Sequence, residues 1–274
     1  MTATASPSLK TYKNLDEFLA DTPAARKWAH VPEIKNADDY VRAVLTTEST
    51  PQYQRAEVWT NPADKSVPPA VEALPWHFRF NHASDGLVSE QSELFDPIWE
   101  VLDNPAAGFR FDRINLGEEL GDRFWYHALS SAALHDAVNF FDPALTDTNT
   151  LGWHLSNALL GKNVNSYLSQ LPVAKLIREI IRADSKLKDK NKRLMQYGKK
   201  PPLDELQAAS RASIISTANM ATFLGFSELA IMRANIAKLY RRKLNAEMQG
   251  TSIGDMQGRD LAAEKAILAS ALAA

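Results

Sequence analysis

Helical periodicity is the feature that most constrains this chain. Over most of residues 89–248 apolar side chains recur three and four positions apart, which puts them on one face of an α-helix. Leu94, Ile98 and Leu102 follow the pattern, with Trp99 beside them, and Leu176, Ile180 and Ile181 repeat it further on. Alternation with a period of two, the mark of a half-buried strand, is convincing only at residues 76–80 (WHFRF) and 109–112 (FRFD). The expected fold is therefore mainly α. It has a helical bundle-like core, at most a small two-stranded ribbon made by those two segments, and extended terminal arms.

Proline and glycine divide the pattern. Residues 14–20 and 38–45 read as short helices whose acidic first turns suit the helix dipole. Pro51, Pro62, Pro68, Pro69 and Pro75 make residues 47–75 mostly loop. Residues 118–141 form the longest aromatic-rich helix candidate, stopped by Pro143, and 150–160 form another. Residues 173–197 follow Pro172 and end before Pro201 and Pro202. Two long helices, 204–224 and 227–248, flank Gly225, with Asp204 and Ser227 as N-caps. After Gly250, Leu261, Ala262, Ile267, Leu268 and Leu272 make a short apolar stripe, expected to dock on the chain's own body or on a neighbouring subunit. The expected organisation is an arm at 1–13, an acidic subdomain at 14–150, a basic helical subdomain at 151–248, and a tail with a short helix at 249–274.

Cysteine is absent, so disulfides, thiolate metal sites and cysteine nucleophiles are excluded. No apolar run reaches the length a membrane-crossing helix needs. The first ten residues lack both an apolar stretch and arginine, so they resemble neither a secretory signal nor a mitochondrial presequence. The expected location is the cytoplasm, or the interior of a virion, with no membrane partner.

Charge is distributed unevenly. The whole chain has a formal net charge of -2, yet residues 1–150 hold 12 Lys and Arg against 23 Asp and Glu. Residues 151–274 hold 19 against 10. The excess concentrates at 175–200, where ten basic residues stand against Glu179, Asp184 and Asp189. They include Arg178, Arg182, Lys186, Lys188, Lys190, Lys192, Arg193, Lys199 and Lys200. A second cluster holds Arg233, Lys238, Arg241, Arg242 and Lys243, with Tyr240 inside it. Such density suits a phosphate backbone, and an interleaved tyrosine can stack on an unpaired base. No zinc finger, ribonucleoprotein aromatic signature or basic leucine zipper accompanies it, so sequence-independent contact is expected rather than base reading.

Catalytic signatures are sparse. No G-x-S-x-G elbow and no phosphate-binding glycine loop occurs. Glu118, Glu119 and Asp122 read as an acidic helix start, with an acid/base cluster as the sharper alternative. Trp76, Trp99, Trp125 and Trp153 fall in apolar patterns and read as core. His135-Asp136 resembles the pair of the histidine–aspartate metal phosphohydrolases. That resemblance implies a metal held with His77 or His82 upstream and Asp142, Asp147 or Asp184 downstream.

These features lead to a non-enzymatic, self-assembling nucleic-acid-coating protein of nucleocapsid or coat type. It is expected to bind single-stranded RNA along one basic groove formed by both clusters, with no catalytic residue, metal or cofactor. Two alternatives stay open: a metal-dependent phosphohydrolase centred on His135 and Asp136, and an adaptor whose basic face grips an acidic protein.

Overall fold

A computed structural model describes residues 14–48, 75–103, 112–141, 150–160, 173–197, 202–250 and 260–272. The expected N-terminal arm, most of the proline-rich stretch at 47–75 and the linker after Gly250 lie outside them. The described residues are helical, with no strand among them. Two short helices, α1 (Leu15–Asp21) and α2 (Arg26–Ala29), lead to α3 (Ala37–Thr47), and a 3-10 turn (Pro23–Ala25) separates the first two. Then come α4 (Pro75–Asp103), α5 (Arg113–Phe141), α6 (Trp153–Leu160), α7 (Val173–Tyr197), α8 (Leu203–Phe223), α9 (Glu228–Gln249) and α10 (Leu261–Leu272). The mainly α, bundle-like architecture is thus the observed one.

Side-chain caps explain several helix starts. Asn14 accepts from the Glu17 amide at 2.9 Å, and Asn36 accepts from the Asp39 amide at 2.9 Å. The Asp112 carboxylate accepts from Ile114 and Asn115 ahead of α5, and Ser227 caps α9. Asp204 is not a cap: α8 begins at Leu203, which leaves Asp204 within the first turn. The turn out of α8 is a Schellman arrangement. Gly225 adopts φ 76°, its amide reaches Thr222, and the Phe226 amide reaches Ala221. Phe226 is thereby buried beneath the Arg113 guanidinium, 4.7 Å from the ring centroid. The two helices meet at 99°.

Residues 76–80 do not form a strand. They open α4, so no ribbon is built with 109–112; of that second segment, 109–111 lie outside the described residues and Asp112 is a helix cap. The alternation was ambiguous because Trp76 and Phe80 share a face at either period. At i and i+4 they are 4% and 1% exposed, and both enter a core patch with Leu134, Leu187 and Leu206.

Helix α5 lies at the centre. It packs against α3, α4, α6, α8, α9 and α10, and buried residues occur all around it. One large apolar cluster runs from Phe18 to Leu244, so the acidic and basic halves share a core. α4 approaches α5 closely at Gly86, where a Cβ would lie 2.0 Å from the Tyr126 ring. The C-terminal stripe docks on the chain's own body: α10 packs on α9 and α5, with Leu268 buried and the Glu264 carboxylate 2.8 Å from Arg242. Trp76 is core as expected, but Trp99 and Trp153 are each about two-fifths exposed. No single helix among the described residues is long and apolar enough to cross a membrane.

Candidate functional site

The first basic cluster lies on α7, whose two faces have opposite chemistry. The inner face buries Leu176, Ile177, Ile180, Ala183 and Leu187. It also buries Asp184, which receives the Arg123 guanidinium at 2.7 Å, Gln91 at 2.8 Å and the Ser213 hydroxyl. Arg123 also donates to the Leu87 carbonyl at 2.9 Å and to Thr217, which in turn contacts His127 at 2.9 Å. Burial and the Arg123 charge push His127 well below the usual imidazole range, so it is neutral there. This network ties α7 to α4, α5 and α8.

The outer face carries Lys175, Arg178, Arg182 and Lys186 at successive three- and four-residue steps, and Arg193 two turns further on with Lys192 beside it; all are exposed. Asp184 points inward, so it does not dilute this stripe. Among the described residues only Arg193 of this stripe has an ion-pair partner, Asp189 one turn earlier at 3.3 Å. Lys188 and Lys190 leave the stripe to pair with Asp85 of α4 and Glu205 of α8. Lys199 and Lys200 lie outside the described residues.

The second cluster, on α9, has a different placement. Lys238 is fully buried, its ammonium 2.8 Å from both Asp122 oxygens and 3.3 Å from Glu118. Tyr240 is 5% exposed and meets Trp28 edge-on at 5.2 Å, so it offers no free ring face for a base. Lys243 is 8% exposed, 4.9 Å above the same indole, and burial followed by the nearby Lys27 charge pushes its pKa down. Arg242 is held by Glu264, and Arg233 donates to the Ile34 carbonyl at 2.8 Å. Arg241 is partly buried, its Nε enclosed. Three members of the expected groove therefore lie beneath the surface.

An acidic pocket forms where these α9 residues meet α3, α4 and α5. It encloses about 320 Å³ and is lined by Thr47, His82, Glu90, Asp122, Trp125, Tyr126, Leu239 and Arg242. One oxygen each of Glu90, Glu119 and Asp122 lies within 4.8 Å of the others. Burial, then the Asp122 and Glu93 charges, push Glu90 up to about 7 and Glu119 up to about 8. Burial likewise raises Tyr126 to about 12 and lowers His82. Asp122 is fixed by Lys238 and by the Asn235 amide at 2.8 Å. The helix-start reading of these acids fails on register. α5 begins at Arg113, so Glu119 and Asp122 belong to its second and third turns, beyond the reach of the terminal dipole.

His135 and Asp136 are adjacent at 3.1 Å, with Asn139 on the other ring nitrogen of His135 and Arg79 on Asp136. Asp184, a suggested downstream ligand, is spent on Arg123, while Asp142 and Asp147 lie outside the described residues. His82 is instead packed edge-on to Trp125 and Tyr126. Among the described residues, the group of three side chains spaced for one metal is Glu90, Glu119 and Asp122. The sequence holds no local signal for Glu90, because it meets Glu119 only through the packing of α4 on α5. No protein-family model, curated protein or solved structure matches this chain.

Proposed function

We propose that the protein coats single-stranded nucleic acid, RNA foremost, by gripping phosphates along the outer face of α7, without catalysing a reaction. The observation that carries this reading is the stripe Lys175, Arg178, Arg182, Lys186 and Arg193, exposed and nearly free of acidic partners. From the first to the last of these residues a helix rises about 27 Å, enough for several phosphates of an extended strand. With Tyr240 buried, nothing described on this face reads a base, so affinity is electrostatic and indifferent to sequence. Coating requires that copies associate, and the exposed Trp99, Trp153 and Leu261 are apolar surface that neighbouring copies would cover.

The test is a salt titration of fluorescent single-stranded RNA against the wild type and against Arg178→Glu/Arg182→Glu/Lys186→Glu. Wild-type affinity should fall log-linearly with salt, with a slope of roughly 0.7 per phosphate neutralised. The triple reversal should bind all sequences more weakly and with a shallower slope. Light scattering of untreated protein reports assembly, and its 260/280 nm ratio reports bound nucleic acid. Salt-insensitive binding, or equal curves for the two proteins, sinks the reading.

A further inference from the structure

We infer that the pocket between α4 and α5 is a binding site for a hard divalent cation, Ca²⁺ foremost, with Glu90, Glu119 and Asp122 as its carboxylate ligands. The proposal is independent of the nucleic-acid reading: it uses a different face and none of the α7 stripe.

Three observations converge. The three carboxylate oxygens lie within 4.8 Å of one another. Carboxylate oxygens are the ligands that hard cations take, and Ca²⁺ accepts them in flexible geometry, whereas Mg²⁺ demands a near-ideal octahedron and gives up its waters reluctantly. Next, Glu119 is only 7% exposed, yet it has no hydrogen bond or ion pair with another described residue. Its carboxylate keeps only slight contact with water and gains no protein partner in return, which is costly, and one of its oxygens faces those of Glu90 and Asp122. A bound cation would supply what it lacks. Finally, Glu90 and Asp122 line the 320 Å³ pocket, which leaves room beside them for the waters that complete the coordination of such an ion.

The surroundings prepare the third ligand. Lys238 and Asn235 fix Asp122 from behind, as outer-shell groups commonly do for ligating carboxylates. Lys238 offsets one negative charge, leaving Glu90 and Glu119 for the ion. Bound there, the cation would join α4 to α5 at the centre of the fold.

Trp125 and Tyr126 line the same pocket, which gives the site its own reporter. Tb³⁺ added to chelator-stripped full-length protein should show emission sensitised by these rings, displaced by Ca²⁺ more readily than by Mg²⁺. Ca²⁺ should also raise the melting temperature of the wild type. Glu119→Gln and Glu90→Gln should each lower Ca²⁺ affinity more than about tenfold, while Glu93→Gln, an exposed neighbour, should stay within about twofold. If a glutamine variant does not fold, competition between Tb³⁺ and Ca²⁺ on the wild type still decides. Absence of sensitised emission and of any Ca²⁺-dependent shift would overturn the site. So would a shift of equal size in wild type and Glu119→Gln, which would place binding on other carboxylates.

Discussion

Helices α7 and α9 carry similar clusters of Lys and Arg and use them in opposite ways. On α7 the basic residues of the stripe face water, while the one buried acid, Asp184, turns inward to hold Arg123. On α9 three of the five cations turn inward: Lys238 lies on Asp122, Lys243 above Trp28, and Arg242 on Glu264. Charge density in a sequence therefore says little until each charge is assigned a face. On α7, counting Asp184 against the run understates the positive surface. On α9, counting Lys238 and Lys243 overstates it.

The contrast predicts that the largest stability effects come from the inward charges of both helices. Asp184→Ala removes the partner of Arg123 where both side chains are fully buried, so the guanidinium is left uncompensated. The expected loss is about 3–5 kcal/mol, or a fall in melting temperature of roughly 6–20 °C. A simple charge count treats this change as only making the run more basic. A thermal melt within a degree or two of wild type would contradict the inward assignment.

Lys238→Met should follow, with a loss of about 2–4 kcal/mol. The methionine stem replaces most of the buried volume, but Asp122 and Glu118 lose their ammonium. The loss is smaller than for Asp184 because those carboxylates remain 28% and 17% exposed and water can relieve them. Urea unfolding checks it. A midpoint unchanged from wild type would mean that Lys238 can leave the interior, returning α9 to the candidate groove.

Much of the helical architecture could be read from residue order, because it depends on local chemistry. Helices α1 and α3, the Ser227 cap and the break at Gly225 each rest on side chains within a few positions of one another. Residues 76–80 were ambiguous for the same local reason: five residues satisfy two periods, and only contact with α5, α7 and α8 decides between them. The pocket was beyond reach. Glu119 and Asp122 were visible as acids, but their partner Glu90 is distant in the chain, and Lys238 comes from a helix more distant still. Exposure on α7 follows from helical spacing. Burial on α9 does not, because α9 is covered on several sides by α2, α3, α5 and α10.

The pocket beside α9 adds a pH test. The folded pKa values of Glu90 and Glu119, about 7 and about 8, lie above the ordinary 4.5. Groups raised in this sense contribute stability in full below about pH 4.5, and that contribution is lost as pH rises through 7 and 8. The charges acting on the pair are Asp122, Glu93 and Glu118, opposed at Glu90 by Arg123 and Lys238. In chelated buffer above pH 8, Glu119→Gln should therefore exceed wild type by roughly 1–3 kcal/mol, because glutamine carries no charge to keep from water, the full linkage value being reduced by the solvent that still reaches this carboxyl. The two should converge below pH 4.5. Paired melts across pH measure the gap, and a gap that does not change with pH would show that Glu119 is not an ionising buried acid.

The smallest effect should come from the outward stripe. Arg178→Ala, Arg182→Ala and Lys186→Ala each remove an exposed cation that pairs with no other described residue. Alanine is as good a helix former as either parent or slightly better. What is lost is the contact of the aliphatic stem with the helix surface, which limits the cost but does not abolish it. Each single change should therefore stay within about 0.5 kcal/mol of wild type, and the three together within about 1 kcal/mol, since separated surface sites add. Beside the several kcal/mol expected for Lys238→Met, this gives a ligand-free way to separate the two basic clusters. Equilibrium unfolding of both variants at one pH and salt concentration suffices. Should the α7 triple alanine variant unfold as readily as Lys238→Met, its cations would be holding the fold together, and the distinction between an outward and an inward basic helix would collapse.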